Sequence, residues 1–183
     1  MTTFTVTRQI AIDAGHRVMT HGSKCRHLHG HRYTIEATCI ADHLQAAGEQ
    51  SDMVLDFGFL KDEMVAAIDA PCDHGFLAHI EDAQLLAMFC PEGGVVEAWT
   101  GQLRAAVARD GYCLTTDTRM GTKLYVLNVN PTAERLCRHW FGRLKPAVAA
   151  RSGGLARLSE VVVWETPNCR ASYVEPEASS RLR

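Results

Sequence analysis

Alternation of apolar and polar side chains dominates the N-terminal part of the chain. Residues Phe4 to Ala14 are rich in Thr, Val and Ile with a period near two, which predicts a first β-strand. A second strand is predicted over 29–41. His29, His31, Tyr33, Ile35, Ala37 and Cys39 would share one face, and Arg32, Thr34, Glu36 and Thr38 the other. Residues 42–52 are polar and read as a turn. The period then lengthens. Met53-Val54-Leu55-Asp56-Phe57 leads into a helix predicted over 57–69, with Leu60, Met64 and Ile68 as its buried stripe and Pro71 as its stop.

Two further helices are predicted near 81–89 and 95–109, the latter with Val95, Val96, Trp99, Leu103 and Val107 as its stripe. A Gly-punctuated stretch, 110–121, precedes a short strand over 124–129. Asn130-Pro131-Thr132-Ala133-Glu134 then carries helix-start signals in order. Asn130 suits the cap, Pro131 the first helical position, and Glu134 the positive end of the dipole. Leu136, Trp140, Phe141 and Leu144 would face the core. Two last strands are predicted over 157–166 and 169–175, joined at Thr166-Pro167-Asn168, and the tail 177–183 reads as disordered. Strands, then helices, then strands make an α+β domain, an antiparallel sheet with helices on one face. The open edges of such a sheet are commonly paired with neighbouring subunits.

Bulk properties narrow the classes. A chain of 183 residues with 46% hydrophobic side chains is read as one domain, over 1–176, with a real core. A net charge of −2 gives no sign of a nucleic-acid or membrane-surface partner. No apolar run approaches the roughly 20 residues of a membrane span. The start of the chain shows no basic region followed by an apolar stretch. The seven cysteines are scattered without a Cys-x-x-Cys pair, which argues against a disulfide framework or a zinc ribbon and for a reducing cytoplasm.

Candidate chemistry concentrates in Cys25-Arg26-His27-Leu28-His29-Gly30-His31. Of nine histidines, His16, His21, His27, His29, His31 and His43 all fall early in the chain. Residues two apart on a strand share a face about 6.6–6.8 Å apart, so the imidazoles of His29 and His31 can converge on one metal ion. His16, at the end of the first strand, supplies a third donor, and the Cys25 thiol lies nearby in sequence. Three protein ligands suit a catalytic zinc with an open position. Were Cys25 a fourth ligand with His16, His29 and His31, the site would instead be closed and structural.

These segments resemble the family of 6-pyruvoyl-tetrahydropterin and 6-carboxytetrahydropterin synthases. Asp13-Ala14-Gly15-His16-Arg17 is similar to its first zinc-histidine segment, and Lys24 to His31 to its catalytic cysteine and paired zinc histidines. Leu55-Asp56-Phe57-Gly58-Phe59-Leu60-Lys61 resembles the entry to its first long helix, and Asp73-His74 stands where it keeps a catalytic pair. Pro131-Thr132-Ala133-Glu134 resembles the start of its second long helix, and Val163-Trp164-Glu165-Thr166 carries its pterin-anchoring glutamate. Three residues separate Cys25 from His29, as in the bacterial 6-carboxytetrahydropterin synthases, where the pyruvoyl synthases usually have five. Ile12 and Cys72 depart from the usual aromatic and leucine. A segment of about 78–127 is longer than in compact members, and would cover the site, extend an oligomer edge or decorate the surface.

The resemblance implies a tunnelling fold, with an antiparallel four-stranded sheet, two long helices on one face and an inserted helical segment. It implies Zn2+ on His16, His29 and His31, and a catalytic set of Cys25, Asp73, His74 and Glu165. Cys25 would be the base, Asp73-His74 a second proton-transfer element, and Glu165 the acceptor for the pterin N–H edge, with Thr132 and Glu134 adding contacts. It also implies a homohexamer, a dimer of trimers with sites at subunit interfaces, so that Glu165 and Cys25 could come from different chains. The reaction implied is conversion of 7,8-dihydroneopterin triphosphate to 6-carboxy-5,6,7,8-tetrahydropterin, releasing acetaldehyde and triphosphate. The nearest alternative eliminates only triphosphate, giving 6-pyruvoyl-tetrahydropterin; a non-catalytic zinc protein with Cys25 as fourth ligand is an alternative of another class.

Overall fold

The computed structural model of the chain describes residues 3–175, so the tail 177–183 lies outside the described residues. In order, the elements are β1 (Phe4–His16), β2 (His29–Ala41), α1 (Phe57–Met64), a π-helical turn (Val65–Asp69), α2 (Ala70–Cys72), β3 (Gly75–His79), α3 (Ala83–Phe89), α4 (Val96–Asp110), β4 (Tyr112–Thr115), β5 (Leu124–Leu127), α5 (Ala133–Arg151), β6 (Arg157–Thr166) and β7 (Cys169–Val174).

One sheet runs through the molecule in the order β4-β5-β3-β1-β2-β6-β7. The expected four-stranded antiparallel sheet is its β1-β2-β6-β7 half, where the alternation read from β2 holds: Tyr33, Ile35, Ala37 and Cys39 are fully buried. The other half corrects the expectation. The segment after Pro71 adds three strands, with β3 parallel to β1, β5 parallel to β3, and β4 antiparallel to β5. β3 and β4 went unpredicted because they are short; β3 also places adjacent residues, Leu77 and Ala78, both in the interior.

That burial arises because helices cover both faces of this half, not one. Leu77, Tyr125 and Leu127 face the main core with Leu60, Met64, Trp140 and Leu144. Ala78, Leu124 and Val126 point the other way, into a second core with Leu85, Leu86, Trp99, Leu103 and Val107 of α3 and α4. The 78–127 segment therefore extends the sheet and builds a second apolar layer. Of the stripe predicted for α4, Val95 is the exception: it precedes the helix and is 64% exposed.

Two helix boundaries also shift. Pro71 falls inside the final turn, after the π-helical turn, rather than beyond the helix. α5 is capped by Thr132, whose hydroxyl accepts from Arg135 N–H at 3.4 Å, and not by Asn130. Pro131 thus lies before the helix, and its free carbonyl serves the site described below.

One buried histidine makes stability depend on pH. The Tyr125 hydroxyl donates to His139 Nε2 at 2.7 Å, and burial, then the Arg143 charge, push the His139 pKa down to about 4. The unfolded residue titrates near 6.5, so the stability this neutral imidazole contributes is complete above that pH and is lost as pH falls toward 4. Urea unfolding of metal-free protein is expected to show a shallower fall in stability between pH 6.5 and 4.5 for His139→Gln than for the parent, with a total effect of up to about 3 kcal/mol. Parallel curves would show that His139 does not contribute.

Candidate metal centre

Strand register assembles the centre. His16 ends β1 directly opposite His29, the first residue of β2, while His31 sits two residues further on, opposite Ala14. Opposed residues of an antiparallel pair project to the same face with Cβ atoms about 4.5–5.5 Å apart. The ring centroids accordingly lie 4.5 Å apart for His16–His29, 5.2 Å for His16–His31 and 5.0 Å for His29–His31. On the other face Gly15 pairs with Gly30, and the Phe76 ring occupies the space beside Gly15, where a Cβ would meet it at 2.6 Å. A side chain at Gly15 would have to displace the Phe76 ring.

Backbone carbonyls fix two of the three rings. His16 Nδ1 donates to the Pro131 carbonyl at 2.8 Å, and His29 Nδ1 to the His27 carbonyl at 2.7 Å. Each is thereby held as the tautomer whose Nε2 carries a lone pair. His16 Nε2 is buried without a hydrogen-bond partner. Burial pushes the His16 pKa down to about 4, and burial likewise lowers that of His31. Glu165 Oε1 lies 3.4 Å from His16 Nε2 and 3.7 Å from His31 Nε2. A lone pair held against a carboxylate oxygen, with no proton to share, is an arrangement that a cation between them relieves. Among the described residues, His16, His29 and His31 are the group whose donor atoms converge, all within 4.8 Å; Cys25 is not part of it. Neutral imidazoles oriented by second partners through Nδ1 fit zinc with an open coordination position.

A cavity of about 240 Å³ adjoins the centre, lined by His16, His21, Cys25, Thr132, Ala133, Glu134, Glu165, Cys169 and Arg170, among others. Cys25 sits half-buried in a single helical turn, Lys24–Arg26, which Val18 N–H closes by donating to the Cys25 carbonyl at 2.8 Å. One chain thus brings Cys25 and Glu165 to the same space. Thr132 reaches it with its hydroxyl engaged in capping α5.

Asp73 and His74 stand apart and do not line this cavity. They are nonetheless a formed pair, with His74 Nδ1 donating to Asp73 Oδ2 at 2.7 Å. Sequence neighbours turn toward each other here because His74 adopts a left-handed φ of 54°. Burial alone would raise the Asp73 pKa, but the Asp13 N–H, at 2.8 Å, and the His74 imidazole outweigh it, and Asp73 lies below the usual carboxylate range. The His74 side chain is 79% exposed.

Several contributors were not read from the sequence. Tyr33 packs edge-on beneath His16 and His31 at 5.8 and 5.5 Å, and its burial keeps the phenol protonated. Its position two residues after His31 on the same face was the available signal. The Pro131 and His27 carbonyls have no signature in side-chain identity; His21 is brought in by the loop after β1, and Cys169 and Arg170 by the start of β7.

Residues 5–176 match the family described as 6-pyruvoyl tetrahydropterin synthase. The chain belongs to that family. It is 33% identical over 163 residues to the 6-carboxy-5,6,7,8-tetrahydropterin synthase of Rickettsia felis, covering 89% of this chain and 94% of that protein. Among solved structures, it is similar to an uncharacterised protein from Wolinella succinogenes, with a TM-score of 0.70 at 19% identity, over 96% of this chain and 100% of the other. It is also similar to the 6-pyruvoyl tetrahydropterin synthase of Caenorhabditis elegans, with a TM-score of 0.57 at 20% identity, over 96% and 98%. These two likenesses establish the tunnelling fold of the 6-pyruvoyl tetrahydropterin synthase family for this chain, here with a sheet widened to seven strands.

Proposed function

We propose that the chain is a zinc-dependent 6-carboxy-5,6,7,8-tetrahydropterin synthase, a lyase acting on 7,8-dihydroneopterin triphosphate in the queuosine and 7-deazapurine route of the cytoplasm. The observation that carries this reading is the convergence of His16, His29 and His31, with Glu165 3.4 Å from His16 Nε2 and 3.7 Å from His31 Nε2, beside a cavity that also holds Cys25. The curated relatives that match over most of their length bear the carboxy-synthase name.

In this reading zinc, when bound by the three imidazoles, acidifies the hydroxyl and C–H groups of the substrate side chain. Cys25 takes a side-chain proton as its thiolate. Glu165 accepts the paired N–H donors of the pterin edge, and Thr132 and Glu134 border the ring at the start of α5. Asp73 orients His74, which exchanges a proton with a substrate oxygen. A cavity of about 240 Å³ is smaller than the roughly 300–1,000 Å³ usual for small-molecule sites, and the Asp73-His74 pair is outside it. Both features are accounted for by a homohexamer, a dimer of trimers, in which a neighbouring subunit completes each site with its own Asp73-His74 pair.

Incubation of zinc-loaded protein with 7,8-dihydroneopterin triphosphate, followed by product masses and an acetaldehyde assay, tests this. The expected result is 6-carboxytetrahydropterin with acetaldehyde. Pyruvoyl-tetrahydropterin without acetaldehyde would reassign the reaction to triphosphate elimination alone.

A further inference from the structure

A second cavity, of about 470 Å³, opens between α5 and the β4–β5 edge, among residues the proposed reaction does not use. α5 lines it with Arg135, Arg138, His139 and Gly142, at the i, i+3, i+4, i+7 spacing of one helix face. Tyr112 of β4 and Asn128 close it from the sheet side. Because Tyr112 belongs to the added strands, the cavity depends on the same segment that widens the sheet.

We propose that this cavity binds the phosphate group of a small molecule. Its charge is the first argument. Arg135 and Arg138 have no acidic partner among the described residues, and the one carboxylate on the rim, Asp110, is held bidentately by Arg109 at 2.7–3.1 Å. A third guanidinium, Arg143, is fixed at the cavity by donating to the Ala67 carbonyl at 2.6 Å and the Tyr125 hydroxyl at 3.0 Å, 4.3 Å from the centre of the Tyr112 ring. Planar guanidinium forks match phosphate oxygens two at a time, and the fixed Arg143, with Arg135 and Arg138 free of carboxylate partners (Arg138 lies 5.9 Å from the centre of the Tyr173 ring), supplies positive charge for an anion of several charges.

Gly142 is the second argument. A glycine inside a helix is destabilising by about 1 kcal/mol relative to alanine, so its presence calls for a local reason. A Cβ there would meet nothing within 4 Å; no packing demand excludes a side chain, and what glycine preserves is the open space of the cavity.

The site is independent of the proposed pterin reaction. Titration calorimetry of the full-length zinc-loaded protein with inorganic triphosphate is expected to show saturable binding, weakened by salt. Arg135→Gln with Arg138→Gln should weaken it about tenfold or more, as loss of charge-assisted contacts requires. Gly142→Leu, which fills the cavity while improving helix propensity, should do the same, and Arg104→Gln, on exposed surface elsewhere, should leave it unchanged. Inorganic phosphate and a nucleoside triphosphate serve as further arms: tighter binding of the latter than of inorganic triphosphate identifies a phosphate ester as the ligand, and equal or weaker binding a free polyphosphate. Absence of saturable binding, or equal affinity in the parent and both cavity variants, overturns the proposal.

Discussion

Cys25→Ala is expected to retain one zinc ion per chain while losing turnover by about 10²–10⁴-fold, the usual contribution of a positioned proton-transfer group. The two halves of this expectation come from different features. Retention follows from the donor set: the converging group is His16, His29 and His31, without the Cys25 sulfur. Loss of turnover follows from the place of the thiol, half-buried in a short turn on the wall of the cavity that His16 and Glu165 also line. A thiol used only for packing would make its removal a matter of stability. Here the turn is held by its backbone, through Val18 N–H and the Cys25 carbonyl, which the substitution leaves in place. Metal content by mass spectrometry and initial rates on the same preparation decide the matter. A variant that lost zinc in parallel with activity would restore the closed four-ligand site.

The residues of the candidate metal centre were legible because strand chemistry writes them locally. His29 and His31 stand two apart at the start of a strand whose next residues alternate cleanly, and that alternation alone puts both imidazoles on the buried side. His16 required only that β1 and β2 pair, which the intervening turn invites. What remained hidden depends on backbone groups and on distant contacts. The Pro131 carbonyl that orients His16 lies 115 positions away in the sequence, and reading Asn130 rather than Thr132 as the cap placed Pro131 inside the helix, with no carbonyl to offer. The parallel pairing was hidden for another reason. The strand at β5 was read, but β3 and β5 are buried on both faces and show no period that assigns them a sheet, and it is α3 and α4 that create the second buried face. Both helices and the α4 stripe were readable; the pairing of the strands they cover was not.

Asp73 and His74 show a third kind of limit. As sequence neighbours they would diverge on a strand, and their pairing depends on the left-handed backbone of His74, the Asp13 N–H and the Lys123 ammonium on the Asp73 carbonyl. Two partners from two other segments hold a pair whose imidazole faces solvent in the single chain. Such an investment in an exposed group fits a side chain presented to another subunit, as the proposed assembly requires, better than a surface turn.

His29→Ala is expected to lower zinc affinity by more than about 100-fold, since even a lost outer-shell partner costs 10–100-fold, and to abolish turnover. Of the three proposed ligands His29 gives the cleanest test of the metal, because His16 is 1% exposed and its truncation would also open the buried interior. His29 stands at the first position of β2, only partly buried, and its single oriented contact is to the carbonyl of His27 two residues away. The fold should therefore survive. A ligand that binds only the native state adds about 2.7 kcal/mol at 100 times its dissociation constant, so zinc should raise the thermal midpoint of the parent and leave that of His29→Ala almost unchanged. The metal-free forms of the two proteins should unfold at similar temperatures, within the small cost of one partly buried side chain. If the variant still gained stability from zinc as the parent does, the three-imidazole centre would not be where the metal binds, and the unpartnered His16 Nε2 against Glu165 would need another explanation.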